Sequence, residues 1–512
     1  MTTLFRTALL VTVVLTLTFE VRPARGEPSA ARPNIVYVLC DDLGYGDVHC
    51  LNPDRGKIAT PNMDRLGAQG MIFTDAHSGS SVCTPTRYGI LTGRYSWRSR
   101  LQNGVLMGLS PPLIAPDRMT VGSLLKRHGY ATACLGKWHL GMQFAEKTYT
   151  EPILDGPRQH GFDYYFGITA SLDMPPFVYV ENDRFTAVPT VEKKWLRTGP
   201  AAKDFEAIDV LPTLTQKAVE YIGSHAAAAK AGTPFFLYLA LNSPHTPILP
   251  TSEYEGKSGL GKYGDFVMAT DGALGRVLDA LDRAGVADDT LVVFTSDNGC
   301  SPAAGIEALQ QQGHYPSAVF RGHKADIWDG GHRIPFIVRW PGRVKAGSRT
   351  DQLICLTDLM ATCADMLHDK LPDNAGEDSV SILPALLGAD KAPLREAVVH
   401  HSIQGMFAIR QANWKLELCP GSGGWSKPGD PQARKQGLPE IQLYDMTRDV
   451  GERVNEQSRQ PEVVQRLTQL LEKYVADGRS TPGAPQKNDV PVELRKVKRP
   501  ARDERGKVMT HD

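Results

Sequence analysis

The stretch P-N-I-V-Y-V-L-C-D-D, residues 33–42, decides the fold. Apart from Asn34, its first eight residues form a continuous apolar run that is rich in β-branched side chains. A short run of this kind is typical of a strand that is buried on both faces, as in a parallel sheet covered by helices. The run ends in two adjacent aspartates. The stretch therefore predicts a central strand whose carboxyl end carries Asp41 and Asp42.

Three further runs are similarly apolar and strand-like, and helix signals lie between them. The runs are YATACL at 130–135, PFFLYLAL at 234–241 and LVVFTS at 291–296. The helix signals are Thr60 with Pro61, Thr120 before a run closed by Gly129, and an apolar stripe over 265–283 that ends at Gly285. This alternation predicts an α/β domain over residues 33–385, with a large, mostly parallel sheet flanked by helices.

The last part of the chain has a different pattern of predicted elements, with shorter strand-like pieces. The strand-like pieces AVVHHS, MFAIRQ, WKLELC and IQLYDM are followed by a helical run from Pro461 to Val475. This order predicts a subdomain over residues 395–478, in which a small antiparallel sheet packs against one helix. Residues 480–512 are polar and contain little to bury, so we expect this tail to be extended or disordered.

The amino terminus has the pattern of a cleavable signal peptide over residues 1–26. Arg6 precedes an apolar run from Ala8 to Phe19, and small residues follow at Ala24 and Gly26. The run is shorter than the roughly 20 residues that a spanning helix needs, so we expect no membrane span after cleavage. The protein is therefore expected in the periplasm or outside the cell.

Composition excludes several classes of partner and of site. The 512 residues carry 57 basic and 57 acidic side chains, so no global charge favours nucleic acid or a membrane surface. Eight cysteines without a C-x-x-C pair indicate neither a disulfide scaffold nor a zinc site. Cys40 and Cys134 lie in apolar strand-like runs and are interpreted as buried core residues. No disulfide is assigned.

Reactive side chains follow four of the predicted strands. In an open α/β sheet, ligands bind where the carboxyl ends of the strands converge. Adjacent carboxylates repel each other unless a cation lies between them, and an all-oxygen set suits Ca²⁺, or less well Mg²⁺, rather than zinc. For the pair Asp41 and Asp42, and for the pair Asp297 and Asn298, the alternative is a solvated turn at the end of the strand. The residues at these strand ends are Asp41, Asp42, Lys137, His139, His245, Asp297 and Asn298.

The segment S-V-C-T-P-T-R-Y-G-I-L-T-G-R, residues 81–94, predicts an anion site at the start of a helix. Thr84 is a good N-cap and Pro85 a good first helical residue. Cys83 would then lie just before the helix, with Arg87 one turn inside it. The free N–H groups and the positive end of the helix dipole attract an oxyanion. A buried core thiol and a thiolate nucleophile are the alternatives for Cys83.

The pattern C-x-P-x-R, formed by Cys83, Pro85 and Arg87, resembles the formylglycine signature of the type I sulfatase family, in the alkaline phosphatase superfamily. The similarity covers nearly the whole chain in the expected order. Its other motifs are L-T-G-R from Leu91, G-Y-A-T-A-C-L-G-K-W-H from Gly129, D-D-L-G-Y-G-D from Asp41, P-H-T-P from Pro244, S-D-N-G from Ser296, R-G-H-K-A-D-I-W-D-G-G-H-R-I-P from Arg321 and L-Y-D-M-T-R-D-V-G-E-R-V-N from Leu443. One departure is Asp329, where the family often has Glu.

This resemblance implies an enzyme that hydrolyses sulfate esters and whose Cys83 is oxidised to formylglycine by a maturation enzyme. One hydroxyl of the hydrated aldehyde would attack sulfur and release the alcohol. The second would then lose its proton, so that sulfate leaves and the aldehyde is restored. The implied ligands of Ca²⁺ are Asp41, Asp42, Asp297, Asn298 and the modified Cys83.

The resemblance also implies roles for the cationic and imidazole side chains. Arg87 and Lys137 would hold the hydrated aldehyde and neutralise sulfate oxygens. His139 would be the base of the elimination step, and His245 the general acid for the leaving group. Lys324 would clamp the anion. Ser171, in a short turn, would add a contact to sulfate.

Substrate specificity is expected from loops around the strand ends and from the carboxy-terminal subdomain. The loop from Cys419 to Pro428 contains Trp425, which suits stacking on a sugar face, although an ordinary glycine-rich hairpin loop is the alternative. Exported relatives often act on sulfated saccharides. A phosphate or phosphonate ester hydrolase on the same scaffold, and a non-catalytic saccharide-binding protein, are the other functions considered.

Overall fold

The computed structural model describes residues 32–146, 148–389 and 392–495. The predicted signal peptide and the end of the tail from residue 496 lie outside the described residues. No helix in the described part of the chain is long and apolar enough to cross a bilayer.

Strands are numbered in chain order. They are β1 (Asn34–Asp41), β2 (Met71–Phe73), β3 (Ala76–His77), β4 (Ala131–Lys137), β5 (Gln143–Phe144), β6 (Ile153–Asp155), β7 (Tyr164–Ile168), β8 (Val180–Glu181), β9 (Arg184–Phe185), β10 (Val191–Trp195), β11 (Arg197–Ala201), β12 (Phe235–Pro244), β13 (Thr290–Ser296), β14 (Phe336–Arg339), β15 (Ser348–Thr350), β16 (Ile354–Cys355), β17 (Val398–His401), β18 (Phe407–Gln411), β19 (Trp414–Glu417) and β20 (Gln442–Asp445).

Helices are numbered in the same way. They are α1 (Pro61–Gln69), α2 (Cys83–Thr92), α3 (Val121–Arg127), α4 (Val210–Lys230), α5 (Gly261–Ala284), α6 (Ile306–Gln311), α7 (Asp329–His332), α8 (Leu359–Met366), α9 (Leu383–Leu386), α10 (Asp430–Lys435) and α11 (Pro461–Ala476).

The central sheet has ten strands in the order β15-β2-β14-β13-β1-β12-β4-β7-β8-β9. The four strands predicted from apolar runs are the neighbours β13, β1, β12 and β4, and all three of their pairings are parallel. Strand β7 extends this parallel core, whereas β14, β8 and β9 pair antiparallel. The predicted fold class is confirmed. The carboxyl ends of the five inner strands lie at one edge.

Both faces of the sheet are covered by helices, as the continuous apolar runs require. On β12, Leu237 and Leu239 face the apolar layer that contains α4 and α5, and Phe236 and Tyr238 face the layer that contains α2 and α3. Thr60 and Thr120 are the N-caps of α1 and α3, as predicted. Helix α5 begins at Gly261, four residues before the predicted stripe.

The carboxy-terminal residues form the predicted antiparallel sheet, in the order β17-β18-β19-β20. Its apolar residues and those of α11 form one buried cluster. The sheet contacts the main domain through a buried ionic group: the Nζ of Lys415 lies 2.9 Å from Asp329 Oδ1, 3.1 Å from Glu417 Oε1 and 2.5 Å from Glu452 Oε1. Asp329, the residue that departs from the family pattern, is therefore part of the junction between the two sheets.

Residues 480–495 contain neither helix nor strand, but they contact the main domain. The backbone N–H of Asp489 donates to the carbonyl oxygen of Arg98 at 2.7 Å, and its carboxylate pairs with Arg94 at 3.0 Å. All eight cysteines lie in described segments and are free, and Cys40 and Cys134 are buried in the core as predicted.

Candidate active site

The edge formed by the strand ends brings together all the side chains that the sequence predicted as site residues, and nearly all are fully buried. They are Asp41, Asp42, Cys83, Arg87, Lys137, His139, Ser171, His245, Asp297, Asn298 and Lys324. The predicted convergence of the strand ends is thus present in the structure.

Asp41 and Asp42 both face this site, although neighbouring residues in a regular strand point to opposite faces. Two backbone features account for this. The pairing of β1 with β12 is irregular between Leu39 and Asp41, and such a bulge re-aims the side chains near it. Asp42 then adopts a left-handed conformation with φ 66°, so the chain turns immediately after the strand.

Helix α2 begins at Cys83, two residues earlier than predicted. Its N-cap is Val82, which makes no side-chain capping bond, and the predicted capping role of Thr84 is wrong. The Thr84 hydroxyl instead accepts a hydrogen bond from the N–H of Leu106 at 3.2 Å. Pro85 is tolerated in the first turn because the N–H groups there have no partner within the helix. Cys83 therefore lies at the first helical position, where it is 3% exposed.

Three cationic side chains pair with three carboxylates. Arg87 donates from Nε and Nη2 to Asp297 Oδ2, at 3.0 and 2.8 Å. The Nζ of Lys137 donates to Asp41 Oδ2 at 2.8 Å. The Nζ of Lys324 donates to Asp42 Oδ2 at 2.7 Å, so each acid is hydrogen-bonded to a different basic side chain. Arg87 Nη2 also lies 3.8 Å from Asp41 Oδ1.

The carboxylates differ in how strongly they hold a proton. Burial and the negative charge of Asp41 raise the pKa of Asp297 to about 6, against the opposing effect of Arg87. Burial acts in the same direction on Asp41, but Lys137, followed by His245 and Arg87, outweighs it and holds the pKa of Asp41 well below its usual range. Ionised Asp297 is thus disfavoured beside ionised Asp41, and a further cation would relieve that repulsion.

The donor set fits a hard divalent cation. Asp41 Oδ1 and Asn298 Oδ1 are buried and have no hydrogen-bond partner. The Asn298 amide is oriented by its Nδ2, which donates to Asp42 Oδ1 at 2.8 Å and leaves the amide oxygen free. Ligand atoms of Asp41, Asp42 and His245 lie within 4.8 Å of one another. Buried carboxylate and amide oxygens without hydrogen-bond donors are ligands that Ca²⁺ or Mg²⁺ prefers.

His139 has one nitrogen engaged and one free. Its Nε2 lies 2.7 Å from the carbonyl oxygen of Leu106 and must donate, whereas Nδ1 is buried without a partner. Burial, and then the charge of Lys137, lower the pKa of His139 well below its usual value. The ring is therefore neutral, and Nδ1 carries a lone pair that can accept a proton.

His245 and Ser171 lie next to the ammonium group of Lys137. The Ser171 hydroxyl accepts from Lys137 Nζ at 3.1 Å and lies 3.2 Å from His245 Nε2. His245 Nε2 also lies 3.6 Å from Asp42 Oδ2. Ser171 therefore links a cation to an imidazole, and His245, which is 7% exposed, is placed where an incoming group can meet it.

Comparison with known proteins identifies the family. The family model described as Sulfatase matches residues 33–369. The N-acetylgalactosamine-6-O-sulfatase of Bacteroides thetaiotaomicron is 34% identical over 494 residues, covering 87% of this chain and 93% of that protein. The chain belongs to the sulfatase family. Human arylsulfatase A is 32% identical over 474 residues, covering 87% of this chain and 88% of that enzyme.

A solved structure from work on glycosaminoglycan metabolism by Bacteroides thetaiotaomicron matches with a TM-score of 0.78 at 33% identity, covering 86% of this chain and 99% of that one. The protein is accordingly a sulfuric ester hydrolase. A phosphate or phosphonate ester hydrolase, the other enzyme considered, is not favoured.

Some parts of the sulfatase site have no counterpart in the sequence-based prediction. The carbonyl oxygen of Leu106 orients His139, and Asp326 binds a loop of the carboxy-terminal subdomain. Gly136 lies so close to β12 that a Cβ would be 1.8 Å from the carbonyl oxygen of Ala240, with φ 111°. The sequence did contain a signal for this close approach of two strands, because the motif that begins at Gly129 has glycine directly before Lys137.

Proposed function

We propose that this sulfatase hydrolyses sulfate esters of saccharides through a formylglycine made from Cys83. One observation carries the proposal: the buried Cys83 lies at the first position of α2, in the same site as Lys137, Lys324 and the paired carboxylates. A helix start and two ammonium groups together attract a tetrahedral oxyanion to the Cys83 side chain.

The environment of Cys83 argues against a thiolate nucleophile. Burial raises the pKa of the thiol, although Lys137 and Lys324 oppose this effect. A protonated thiol is a weak nucleophile. After oxidation by a maturation enzyme, the hydrated aldehyde supplies one hydroxyl to attack sulfur and a second whose deprotonation releases sulfate.

Asp41, Asp42, Asp297 and Asn298 would hold Ca²⁺, with Mg²⁺ as the second choice, and the modified Cys83 would complete the set. When bound, the ion polarises the sulfate ester and the nucleophile. The three carboxylates of the site and their basic partners, Arg87, Lys137 and Lys324, together carry no formal net charge. A divalent cation then makes the site positive, which favours a sulfate ester anion.

The remaining roles follow from the hydrogen bonds. Lys137 and Lys324 can each turn an N–H toward sulfate, because an ammonium group has three donors. Arg87 is committed to Asp297 and to the carbonyl oxygen of Lys137, at 3.0 Å, so it positions the acid as well as adding charge. Neutral His139 accepts the proton in the elimination step, and His245 gives one to the leaving alcohol.

Saccharides are proposed as substrates because relatives with 30–34% identity include N-acetylgalactosamine-6-sulfatases. Ser171, which links Lys137 and His245, would add a hydroxyl contact to sulfate. Export to the periplasm or the exterior rests on the predicted signal peptide. The maturation enzyme is the one protein partner that this function requires.

The test combines mass spectrometry with turnover assays. The protein is produced with a maturation enzyme, and the tryptic peptide from Leu66 to Arg87 is examined for conversion of the Cys83 thiol to an aldehyde. Turnover of an aryl sulfate, an aryl phosphate and an aryl phosphonate is then compared with that of Cys83→Ala.

We expect an aldehyde, a preference for sulfate, and loss of turnover in Cys83→Ala by at least about 10³-fold, the scale of removing a covalent nucleophile. Undiminished turnover in Cys83→Ala would overturn the formylglycine mechanism. Faster turnover of the phosphonate than of the sulfate would overturn the substrate class.

A further inference from the structure

The loop between Cys419 and Pro428 exposes a large aromatic side chain beside the site. Trp425 is 49% exposed, whereas Trp97, Trp138 and Trp328 are almost completely buried. An exposed indole offers an apolar face on which another apolar surface can stack.

The loop is held by a buried carboxylate of the main domain. Asp326 Oδ1 accepts from the backbone N–H groups of Trp425 and Ser426, at 2.8 and 2.9 Å. Its Oδ2 accepts from the N–H of His323 at 3.0 Å and from the Ser426 hydroxyl. Asp326 thus fixes the backbone at Trp425 to the turn that carries Lys324.

That turn also contacts the segment before Cys83. The N–H of Ala325 donates to the carbonyl oxygen of Ser81 at 2.8 Å. A Cβ at Gly424 would lie 2.3 Å from the carbonyl oxygen of Ala325, so only glycine allows this approach. Gly424 is therefore packed against Ala325, the neighbour of Lys324, and Ala325 is itself bonded to Ser81. These contacts place the backbone of Trp425 at the rim of the site, with its side chain 49% exposed.

We propose that Trp425 is a specificity-determining residue that stacks on the sugar unit next to the sulfated one. This inference rests on the proposed function and extends it from a single sulfated sugar to an oligosaccharide. A pyranose ring presents an apolar C–H face that matches a rigid indole, and the indole loses little conformational entropy on binding. Placement at the rim, rather than in the buried site, assigns the contact to the neighbouring sugar.

The test compares substrates that differ only by the neighbouring sugar. Trp425→Ala, Trp425→Phe and a control, Leu438→Ala, are assayed with an aryl sulfate, a 6-O-sulfated N-acetylgalactosamine and a sulfated disaccharide or longer oligosaccharide that contains it. Leu438 is an exposed apolar residue of the same subdomain, so its truncation controls for the loss of an exposed apolar side chain.

For Trp425→Ala we expect KM for the oligosaccharide to rise about tenfold, with kcat within about twofold, which is the scale of one aromatic contact. KM for the two single-ring substrates should change less than about twofold, and Trp425→Phe should retain most of the oligosaccharide affinity.

Two results would overturn the inference. One is an equal rise in KM for single-ring and oligosaccharide substrates, and the other is wild-type protein that cleaves aryl sulfate but prefers no oligosaccharide in a panel of sulfated sugars. Failure of the wild type to cleave any sulfate ester would instead overturn the proposed function, so the two failures are distinguishable.

Discussion

His139 donates its Nε2 proton to the carbonyl oxygen of Leu106 across 2.7 Å, and this bond fixes which nitrogen is free to act as a base. A main-chain acceptor on a loop thus sets the tautomer of a side chain that comes just after β4. The imidazole is oriented before substrate arrives.

His139→Gln should therefore separate orientation from proton transfer. The Gln amide nitrogen can replace Nε2 and keep the bond to Leu106, but the variant has no base at the position of Nδ1. We expect kcat to fall by about 10²–10⁴-fold with little change in KM. Steady-state kinetics test this, and a melting temperature close to that of the wild type would show that the fold is intact. Wild-type kcat in this variant would refute the role of His139.

Ca²⁺ should stabilise the protein through the oxygens of Asp41, Asp42, Asp297 and Asn298. At a hundredfold excess over Kd, binding to the folded state alone adds about 2.7 kcal/mol to the free energy of unfolding. Thermal unfolding with Ca²⁺ and with a chelator measures this difference. Asp297→Asn should reduce it sharply, whereas Ser171→Ala should leave it unchanged. Equal stabilisation of wild type and Asp297→Asn would contradict the ligand assignment.

Lys415 should be essential for the junction between the two sheets. Its ammonium group is the shared partner of Asp329, Glu417 and Glu452, all buried. Lys415→Met would remove the cation that these acids share, although Asp329 would keep Arg333 at 3.3 Å. Breaking a buried ion pair costs about 3–5 kcal/mol. Chemical denaturation measures the change. The control Lys435→Met, on the exposed end of α10, should alter the free energy of unfolding by less than about 0.5 kcal/mol.

Three buried histidines should make the protein sensitive to acid. The rings of His332 and His400 stack at 3.8 Å, and His77 Nδ1 lies 3.0 Å from His332 Nδ1. Burial lowers the pKa of His77 to about 4, against its hydrogen bond to Asp75, and lowers the pKa of the other two well below the usual value. The charged groups that face this cluster are Asp75, Asp329, Arg333, Arg410 and Lys415.

Neutral rings are favoured in the folded state, so this stability is present above about pH 6.5 and is lost as pH falls toward 4. His400→Asn, which can keep the bond to the carbonyl oxygen of Ser78, should reduce the loss by about 1.4 kcal/mol per pH unit for the missing proton. Denaturation midpoints at several pH values between 4.5 and 7.5 test this. An unchanged pH slope in the variant would exclude His400 as a contributor.

The sequence predicted the sheet and the convergence of the site because both depend on long apolar runs and on the polar residues at their carboxyl ends. β1 and Asp41 are an example. The apolar run predicts the buried strand, and the aspartates that follow it predict a turn with charged side chains at the strand end. The start of α2 was not predicted correctly. Thr84 and Pro85 have strong local preferences, but the hydroxyl of Thr84 bonds to the loop at Leu106, and a tertiary contact overrode the local signal.

Contacts made by main-chain atoms could not be predicted at all. Leu106 and Ala325 make these contacts through their carbonyl oxygens, so their side-chain types give no sequence signal for the contacts. Asp326 has a suitable side chain, but its partners lie about a hundred positions away, at Trp425 and Ser426.

The burial of α2 has a consequence for the order of events during synthesis. The turn before Cys83 is bonded to Ala325 and to His401, and the segment after the helix is bonded to Asn488 and Asp489. These partners are made some 240 to 400 residues after the thiol. Until they emerge, part of the cover of the Cys83 segment is missing, and under the proposed function this is when a modifying enzyme would reach it. Once the last of them is in place the segment is buried, so the proposed modification of Cys83 would have to precede completion of the fold.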